Sequence, residues 1–224
     1  MSDKRLSSCQ PLPRLTCMSN LYEALGSLLE YPGADWGARV ERCEESLTVQ
    51  EPEVAAQFVG FHRKTGEMSI PQLQELYTQT FDLNPVCTLD IGYHLFGENY
   101  KRGELLANLR KTEAPYCLGQ ENQLPDYLPV LLRLLVKLED EDLRRSLIVE
   151  LLIPALDTML KSLGTAENPY RHVVEVIRLV LGSEVPEAAE ASWNSDTAEI
   201  PELYRISSKA SARADGKPLR NDHA

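Results

Sequence analysis

The sequence predicts an all-α protein, a single helical-bundle domain of about eight or nine helices with disordered termini. Apolar residues recur three and four positions apart through most of the chain, which is typical of helices that bury one face. No stretch alternates apolar and polar residues for long enough to require a β-strand. With 224 residues, the chain can bury a core of its own without disulfides or a structural metal.

The domain boundaries follow from where this pattern starts and stops. Residues 1–18 are expected to be disordered, because Pro11 and Pro13 interrupt any helix there. The helical domain is predicted to span residues 19–182. Residues 183–224 are rich in Ala, Ser, Glu and Asp with little periodicity, which predicts a flexible polar tail. An apolar patch suited to docking lies within that tail and consists of Ile200, Leu203 and Tyr204.

Four helices are predicted in the first part of the chain. Ser19 or Asn20 can cap the first and Asp35 the second. Glu51-Pro52 opens the third, and Ser69, with Pro71 just inside the helix, starts the fourth. The four ends are expected at Pro32, Leu47, Gly66 and Asn84-Pro85.

Two short helices are predicted in the middle of the chain. The first ends at Gly97 and the second opens at Tyr100, with aromatic residues and carboxylates at the joints. Such joints suit a shaped binding surface better than a reaction centre. A polar loop follows, from Glu113 to Gln123.

The strongest apolar pattern runs over residues 127–164 and predicts an antiparallel hairpin of two helices about an acidic turn. Pro154 lies inside the second of these helices, so a kink is expected there. The last helix is predicted to open at Asn168-Pro169 and to end at Gly182.

The composition restricts the class of partner. Lys and Arg number 23 against 34 Asp and Glu, which gives a net charge of -11. This balance disfavours nucleic acid and anionic membranes, and it favours a partner that exposes Arg or Lys. The five cysteines are scattered, as expected in a reducing compartment. Neither a secretory signal nor an apolar span of about 18 residues is apparent, so a soluble, cytoplasmic protein without stable membrane insertion is expected.

One pair of residues is a candidate for catalysis. Asp90 and His94 lie four positions apart, so on a helix their side chains can meet. The functional interpretation is an oriented base, which would make the protein a small helical hydrolase. The structural interpretation, which we prefer, is a hydrogen bond on a helix surface. No Ser or Cys arrangement points to the pair, and Cys87 is expected to be a small buried side chain.

No metal or other cofactor is expected from the sequence. The four histidines are far apart and lack the HExxH spacing of a metal site. Neither a GxxxxGK[ST] nor a GxGxxG cradle for phosphates is present.

Five carboxylates cluster in sequence around the Pro and Gly joints, namely Asp82, Asp90, Glu98, Glu121 and Asp126. Some can be helix caps, and Asp126 is suited to that role because it directly precedes the helix at Leu128. Alternatively, they line an acidic, partly apolar groove for an Arg-bearing peptide, where each charge-assisted hydrogen bond is worth about 1.5 to 3 kcal/mol. Tyr93, Phe96 and Tyr127 would then form the groove walls, or else they pack in the core.

Three runs of residues resemble a known family. They are Tyr77 to Phe81-Asp82-Leu83-Asn84, Tyr93-His94-Leu95-Phe96-Gly97 with Arg102-Gly103 following, and Leu124-Pro125-Asp126-Tyr127-Leu128-Pro129 continuing to Leu132. Leu28-Leu29-Glu30-Tyr31-Pro32 and Asn168-Pro169-Tyr170 are similar too. The family is that of the nitrate reductase molybdenum cofactor assembly chaperones, the NarJ branch of the TorD/DmsD redox-enzyme maturation chaperones. The likeness covers about residues 19–181.

The resemblance implies an all-helical cytoplasmic chaperone that is not an enzyme and not part of the finished one. Such proteins bind the immature catalytic subunit of a molybdopterin guanine dinucleotide enzyme, commonly at its N-terminal leader. They keep it competent for molybdenum cofactor insertion before membrane docking or export. The implied client is respiratory nitrate reductase or a related enzyme, such as a chlorate, perchlorate or selenate reductase, or an ethylbenzene or dimethylsulfide dehydrogenase.

The matching positions, together with the acidic and aromatic residues above, predict a site that binds the client peptide. Among these residues, His94 and Asp126 are expected to make polar contacts, and Tyr93, Phe96 and Tyr127 to form walls. The site comprises Asp82, Asp90, Tyr93, His94, Phe96, Gly97, Leu124, Pro125, Asp126, Tyr127 and Pro129.

Overall fold

Nine helices make up the described part of the chain, which confirms the all-α prediction. The structure is a computed structural model that describes residues 13–83, 87–119, 122–164 and 167–185, with the backbone alone for residues 13–19. No β-strand is formed within these ranges, apart from one isolated bridge. Several sequence expectations lie outside them: the disorder of residues 1–12, the helix end at Asn84-Pro85, Glu121, and the tail from residue 186 onward.

The helices are joined by short connections. In chain order they are α1 (Pro13–Leu28), α2 (Trp36–Gln50), α3 (Pro52–Thr65), α4 (Ile70–Tyr77, continued by a π-helical turn Thr78–Asp82), α5 (Ile91–Phe96), α6 (Tyr100–Glu113), α7 (Leu128–Lys137), α8 (Glu141–Ser146, a π-helical segment Leu147–Leu152, and Ile153–Ser162) and α9 (Tyr170–Glu184).

Helices α1 and α9 lie at the centre of the packing. Helix α1 contacts α2, α7 and α9, while α9 also packs on α3 and on the last segment of α8. Helix α7 is buried on nearly all sides and has its most extensive contact with α1, so the predicted hairpin of α7 with α8 is not its main packing. Burial of these Leu, Ile and Val side chains is the main stabilising contribution, at about 25 cal/mol per Å² of apolar surface.

The beginning of α1 corrects the predicted N-terminal boundary. The helix starts at Pro13, so residues 13–18 are helical and not disordered. Proline is tolerated at the first helical position because the N–H it lacks would have no partner within the helix there. Pro13 therefore begins the helix that it was expected to interrupt.

The end of α9 lies two residues beyond the expected end at Gly182. The Glu184 carboxylate accepts a hydrogen bond from the Tyr22 hydroxyl of α1 and pairs with Arg144 of α8, at 2.5 Å. These two contacts hold the last turn of α9 against the domain, so the helix continues through Gly182 to Glu184.

Near Pro154, where a kink was expected, the helix contains a π-helical segment that ends two residues before the proline. Proline removes one backbone hydrogen bond, and its ring crowds the carbonyl four residues earlier. The wider Leu147–Leu152 segment accommodates both effects within a continuous helix.

A cluster of aromatic rings fixes the end of α4 against α9. The Tyr170 ring lies 4.8 Å from Phe81 and 6.1 Å from Tyr77 between centroids. Asn168 donates a hydrogen bond to the Thr80 hydroxyl at 3.0 Å, and its side-chain oxygen accepts from the Tyr170 N–H. The π-helical turn of α4 is thereby held in place at the edge of the region described next.

Across the described ranges, none of the helices combines the length and the apolar character needed to cross a bilayer.

Candidate functional site

The structure brings the resembling run that begins at Leu124 into direct contact with residues 89–91, which lie just before the run that begins at Tyr93. The Ile91 N–H donates to the Asp126 carbonyl, and the Leu128 N–H donates to the Leu89 carbonyl, each at 2.9 Å. These two bonds form an isolated antiparallel bridge between Asp90 and Tyr127. We call this region, with the side chains of Asp90, Arg102 and Asp126 beside it, the joint.

Arg102 neutralises the carboxylates of the joint from within. Its Nε donates to Asp126 Oδ2 at 3.0 Å, and its Nη2 donates to Asp90 Oδ2 at 3.2 Å. The Asp126 side chain is completely buried. Helix α7 is capped at Tyr127, so the expectation that Asp126 caps this helix is wrong. Burying an unpaired carboxylate costs more free energy than leaving one helix end without a side-chain cap, so Asp126 binds Arg102.

Gly92 makes room for the ion pair. A β-carbon on residue 92 would lie 2.7 Å from Asp126 Oδ2 and 3.1 Å from the Leu105 side chain. The first distance is shorter than real β-carbon contacts and the second is tighter than most of them, so a glycine at this position allows α5 to approach the Asp126 carboxylate this closely.

The charges of the joint act on one another. Burial raises the pKa of Asp90, and the nearby charge of Asp126 raises it further, while Arg102 opposes both. Burial alone would lower the pKa of Arg102, but its bonds to Asp126 and Asp90 outweigh that effect and raise it. Arg102 therefore stays charged, which keeps the buried Asp126 carboxylate compensated.

His94 does not meet Asp90. Its Nε2 lies 2.8 Å from the Thr88 carbonyl oxygen, to which it donates, and 3.8 Å from the Cys87 sulfur. Asp90 precedes the first residue of α5 and its carboxylate is turned toward Arg102, so the helical i,i+4 geometry does not apply. Neither a hydrogen bond nor an ion pair links Asp90 and His94 within the described residues.

The pKa values of His94 and Cys87 are both shifted in the direction that favours the neutral form. Burial lowers the pKa of His94, and the charge of Arg102 lowers it further. The hydrogen bond to the Thr88 carbonyl raises the pKa but does not outweigh burial. The expectation that Cys87 is a small buried side chain is confirmed, and burial raises the pKa of its thiol to about 12. A thiol with this pKa is a poor nucleophile near neutral pH.

Aromatic and apolar side chains surround the joint at the surface. The Tyr93 ring is 47% exposed and lies 5.8 Å from the Arg102 guanidinium. Leu124 is 44% exposed, and its carbonyl accepts the Tyr127 N–H at 3.1 Å.

On the other side of Tyr127, two tyrosine hydroxyls converge on one carbonyl. The Tyr127 and Tyr77 hydroxyls both donate to the Leu29 carbonyl, at 3.3 and 3.2 Å. The Tyr31 ring packs edge-on against Tyr77 and is 52% exposed. Leu83, directly after the π-helical turn, is 71% exposed. We call the four exposed side chains Tyr31, Leu83, Tyr93 and Leu124 the rim.

The predicted site residues thus fall into three groups by exposure. The exposed ones are Asp82, Tyr93 and Leu124. Those that are partly buried are Asp90, His94, Phe96, Gly97 and Tyr127. The buried ones are Pro125, Asp126 and Pro129. The φ of +58° at Gly97, which ends α5, is a backbone conformation that favours glycine.

A further buried carboxyl group, that of Glu113, lies at the end of α6. Glu113, in the last turn of α6, has no exposed surface, and among the described residues neither of its carboxyl oxygens has a hydrogen-bond partner. Its Oε2 lies 3.9 Å from Arg110 Nη1. Burial raises the pKa of Glu113 to about 7, with Asp126 adding to the rise and Arg110 opposing it.

Sequence reasoning gave Arg102 no role beyond its place after a resembling run, and it missed Gly92 and Glu113. A signal for Arg102 was present, because a cation in the first turn of a helix is unfavourable unless a carboxylate lies nearby. Gly92 and Glu113 gave no comparable signal in the sequence. No group of three His, Cys, Asp or Glu side chains is placed to hold a metal ion in the part of the chain that the structure describes.

Fold and joint together define a helical protein that presents an exposed apolar rim beside an internally neutralised ion pair. No protein-family model matches the chain. The chain is 32% identical over 127 residues to the probable nitrate reductase molybdenum cofactor assembly chaperone NarJ of Bacillus subtilis strain 168. The matched residues cover 55% of this chain and 68% of that protein. The chain is 26% identical over 189 residues to the nitrate reductase molybdenum cofactor assembly chaperone NarJ of Escherichia coli K12, covering 75% of this chain and 80% of that protein. The chain belongs to the NarJ family of nitrate reductase molybdenum cofactor assembly chaperones.

Proposed function

We propose that this chain is a dedicated assembly chaperone for a nitrate reductase. It binds the immature catalytic subunit at its N-terminal leader and keeps that subunit competent for molybdenum cofactor insertion before membrane docking or export. It acts in the cytoplasm and is not part of the mature enzyme. Family membership supports the class, and the names of the two relatives support nitrate reductase as the client.

The observation that carries this proposal is the rim. The rim side chains are 44 to 71% exposed. Large apolar side chains exposed to this extent are typical of surfaces that bind another polypeptide, where a few such residues supply most of the affinity. Tyr93 and Leu124 flank the joint, and Tyr31 is connected to it through Tyr77 and the Leu29 carbonyl. An amphipathic leader can place its apolar side chains on these residues.

The polar contacts with the leader come from groups that keep some exposure. Asp82 is exposed and Asp90 is partly so, and either carboxylate can accept a hydrogen bond from an arginine of the leader. Asp126 acts indirectly, because its buried carboxylate holds Arg102 against the Tyr93 ring. Pro125 and Pro129 are buried and shape the backbone on either side of it.

The proposal includes no reaction and no cofactor site in this chain. The molybdenum cofactor is inserted into the client, which the chaperone only holds. The alternative, a hydrolase that uses Asp90 and His94, receives no support from the joint, since these side chains bind Arg102 and Thr88 instead.

The proposal is tested in the native host after deletion of the gene for this chain. Nitrate reductase activity is expected to be lost although the catalytic subunit is still made, and the intact chain should restore it. A Tyr93→Ser/Leu124→Ser chain should restore little, whereas Leu179→Ser, which alters an apolar residue exposed to 40% on α9, should restore it fully. Normal activity in the deletion strain would refute nitrate reductase as the client. In that case the chain is purified from the host with an affinity tag. A selenate, chlorate or hydrocarbon-oxidising enzyme that co-purifies with it would then be the client.

A further inference from the structure

Helix α2 presents a surface groove lined by three carboxylates, a threonine and one exposed valine. The groove has a volume of about 360 Å³ and is lined by Glu41, Glu44, Glu45, Thr48 and Val49. Val49 is 75% exposed, so no described part of the chain covers it. Glu44 pairs with His62 at 2.8 Å, while Glu41 and Glu45 are exposed. We call this surface the α2 groove.

The C-terminal tail leaves the domain beside this groove. Helix α9 ends at Glu184, and the Ser183 hydroxyl donates to Glu51 Oε1 at 3.1 Å. Glu51 directly follows the last residue of α2. The last described residues of the chain therefore lie next to the end of α2 that carries Val49.

The sequence of the tail complements the α2 groove in both polarity and charge. Apolar residues come first, namely Ile200, Leu203, Tyr204 and Ile206. Five basic residues accompany and follow them, namely Arg205, Lys209, Arg213, Lys217 and Arg220. Within residues 200–217 the acidic residues are Glu202 and Asp215 and the basic residues number four, so this segment has a net charge of +2, although the whole chain has a net charge of -11.

The reach of the tail also fits the groove. On α2, Glu41, Glu45 and Val49 recur every four positions and therefore share one face of the helix. Helix α2 has 15 residues and is therefore about 22 Å long. Residues 186–203 can span at most about 60 Å when extended, so the segment that follows them can reach any point of the groove.

We propose that residues 200–217 dock on the α2 groove of the same chain. The apolar residues around Tyr204 cover Val49, and Lys209 and Arg213 pair with Glu45 and Glu41. The contact is intramolecular, so an effective concentration in the millimolar range is enough to populate it even if each ion pair is weak. Since the ion pairs lie at the surface, the contact weakens as salt rises.

The test is zero-length carbodiimide cross-linking of the full chain at low and high salt, followed by peptide mapping. The reagent joins a lysine amine to a carboxylate only where the two are in contact. The expected product joins Lys209 to Glu45 or Glu41 within one chain and declines several-fold at high salt. Glu41→Lys/Glu45→Lys should abolish it, and so should Lys209→Glu/Arg213→Glu.

The charge swap makes the test specific. Combining the two double reversals places lysines on α2 and carboxylates in the tail, so the cross-link should return. As a matched control, Glu98→Lys/Glu104→Lys changes the net charge equally at exposed positions elsewhere and should leave the product unchanged. Circular dichroism confirms that each variant is folded.

Three outcomes would overturn the proposal. A product of twice the chain mass would place the tail on a second copy. A tail cross-linked to carboxylates outside the α2 groove would show the wrong surface. No cross-link from Lys209 at low salt in a folded chain would show that the tail does not dock.

Discussion

The Asp126 carboxylate occupies the space that a side chain on Gly92 would need. Its Oδ2 lies 2.7 Å from the position of a β-carbon on residue 92, and the same oxygen accepts the hydrogen bond from Arg102 Nε. A glycine in α5 and a carboxylate just before α7 are therefore parts of one arrangement, although 34 positions separate them in the sequence.

We expect Gly92→Ala to destabilise the protein by about 1 to 3 kcal/mol, the usual cost of an overpacked buried position. The added methyl must push Asp126 away from Arg102 or move α5. Urea unfolding measures the change. Gly103→Ala in α6 is the control, because nothing lies within 4 Å of its β-carbon, and there alanine should stabilise by up to about 1 kcal/mol. Equal effects of the two changes would contradict the close approach at Gly92.

We expect Arg102→Met to cost about 3 to 5 kcal/mol, because it leaves the buried Asp126 carboxylate without a cation. Adding Asp126→Asn to this variant should recover part of the loss, since the buried charge is then gone. Arg63→Met, at an exposed arginine of α3, should change stability by less than about 0.5 kcal/mol. Additive effects of the Arg102 and Asp126 changes would argue against an ion pair between them.

Glu113 should make stability depend on pH between about 4.5 and 7. Its folded-state pKa is raised from an ordinary value of 4.5 to about 7, so folding favours the protonated carboxyl. The resulting stability is complete below pH 4.5 and is lost as the pH rises through 7, by up to about 3 kcal/mol. Glu113→Gln should remove this dependence and make the protein more stable at pH 8. The same change at the exposed Glu104 should leave the profile unaltered, and an unchanged profile in Glu113→Gln would refute the burial effect.

Leader binding should weaken as salt rises. The chain carries a net charge of -11, and the exposed Asp82 and half-buried Asp90 lie near the rim, so part of the attraction for an Arg-bearing leader is electrostatic and screened. We expect the Kd to rise several-fold between 50 and 500 mM salt. A leader peptide with Arg replaced by Gln should bind more weakly at low salt and show little salt dependence. Equal salt dependence of the two peptides would show that the arginines of the leader do not cause it.

The helices could be predicted from the sequence because their apolar residues repeat at helical spacing. Ser69, with Pro71 after it, gave the start of α4, and Gly97 gave the end of α5. The boundaries that differ depend on context: Pro13 is harmless only as the first residue of a helix, and α9 passes Gly182 because Tyr22 and Arg144 bind Glu184.

The site was less accessible to sequence reasoning, because its polar contacts join residues far apart in the chain. The four-residue spacing of Asp90 and His94 suggested a pair. Instead, Asp90 accepts a hydrogen bond from Arg102, and His94 donates one to the Thr88 carbonyl. Asp126 looked like a cap because it precedes α7, yet its burial depends on α5 and α6 approaching from elsewhere. Tertiary contacts of this kind leave no periodic pattern.

The rim as a binding surface for the leader is tested most directly by calorimetry. A peptide of the N-terminus of the host's nitrate reductase catalytic subunit is titrated into the intact chain, into Tyr93→Ala/Leu124→Ala and into Leu179→Ala. We expect saturable binding to the intact chain and to Leu179→Ala, with binding to the rim variant weakened at least about tenfold, or about 1.4 kcal/mol. Equal affinity for all three chains, or no binding to the intact one, would contradict it.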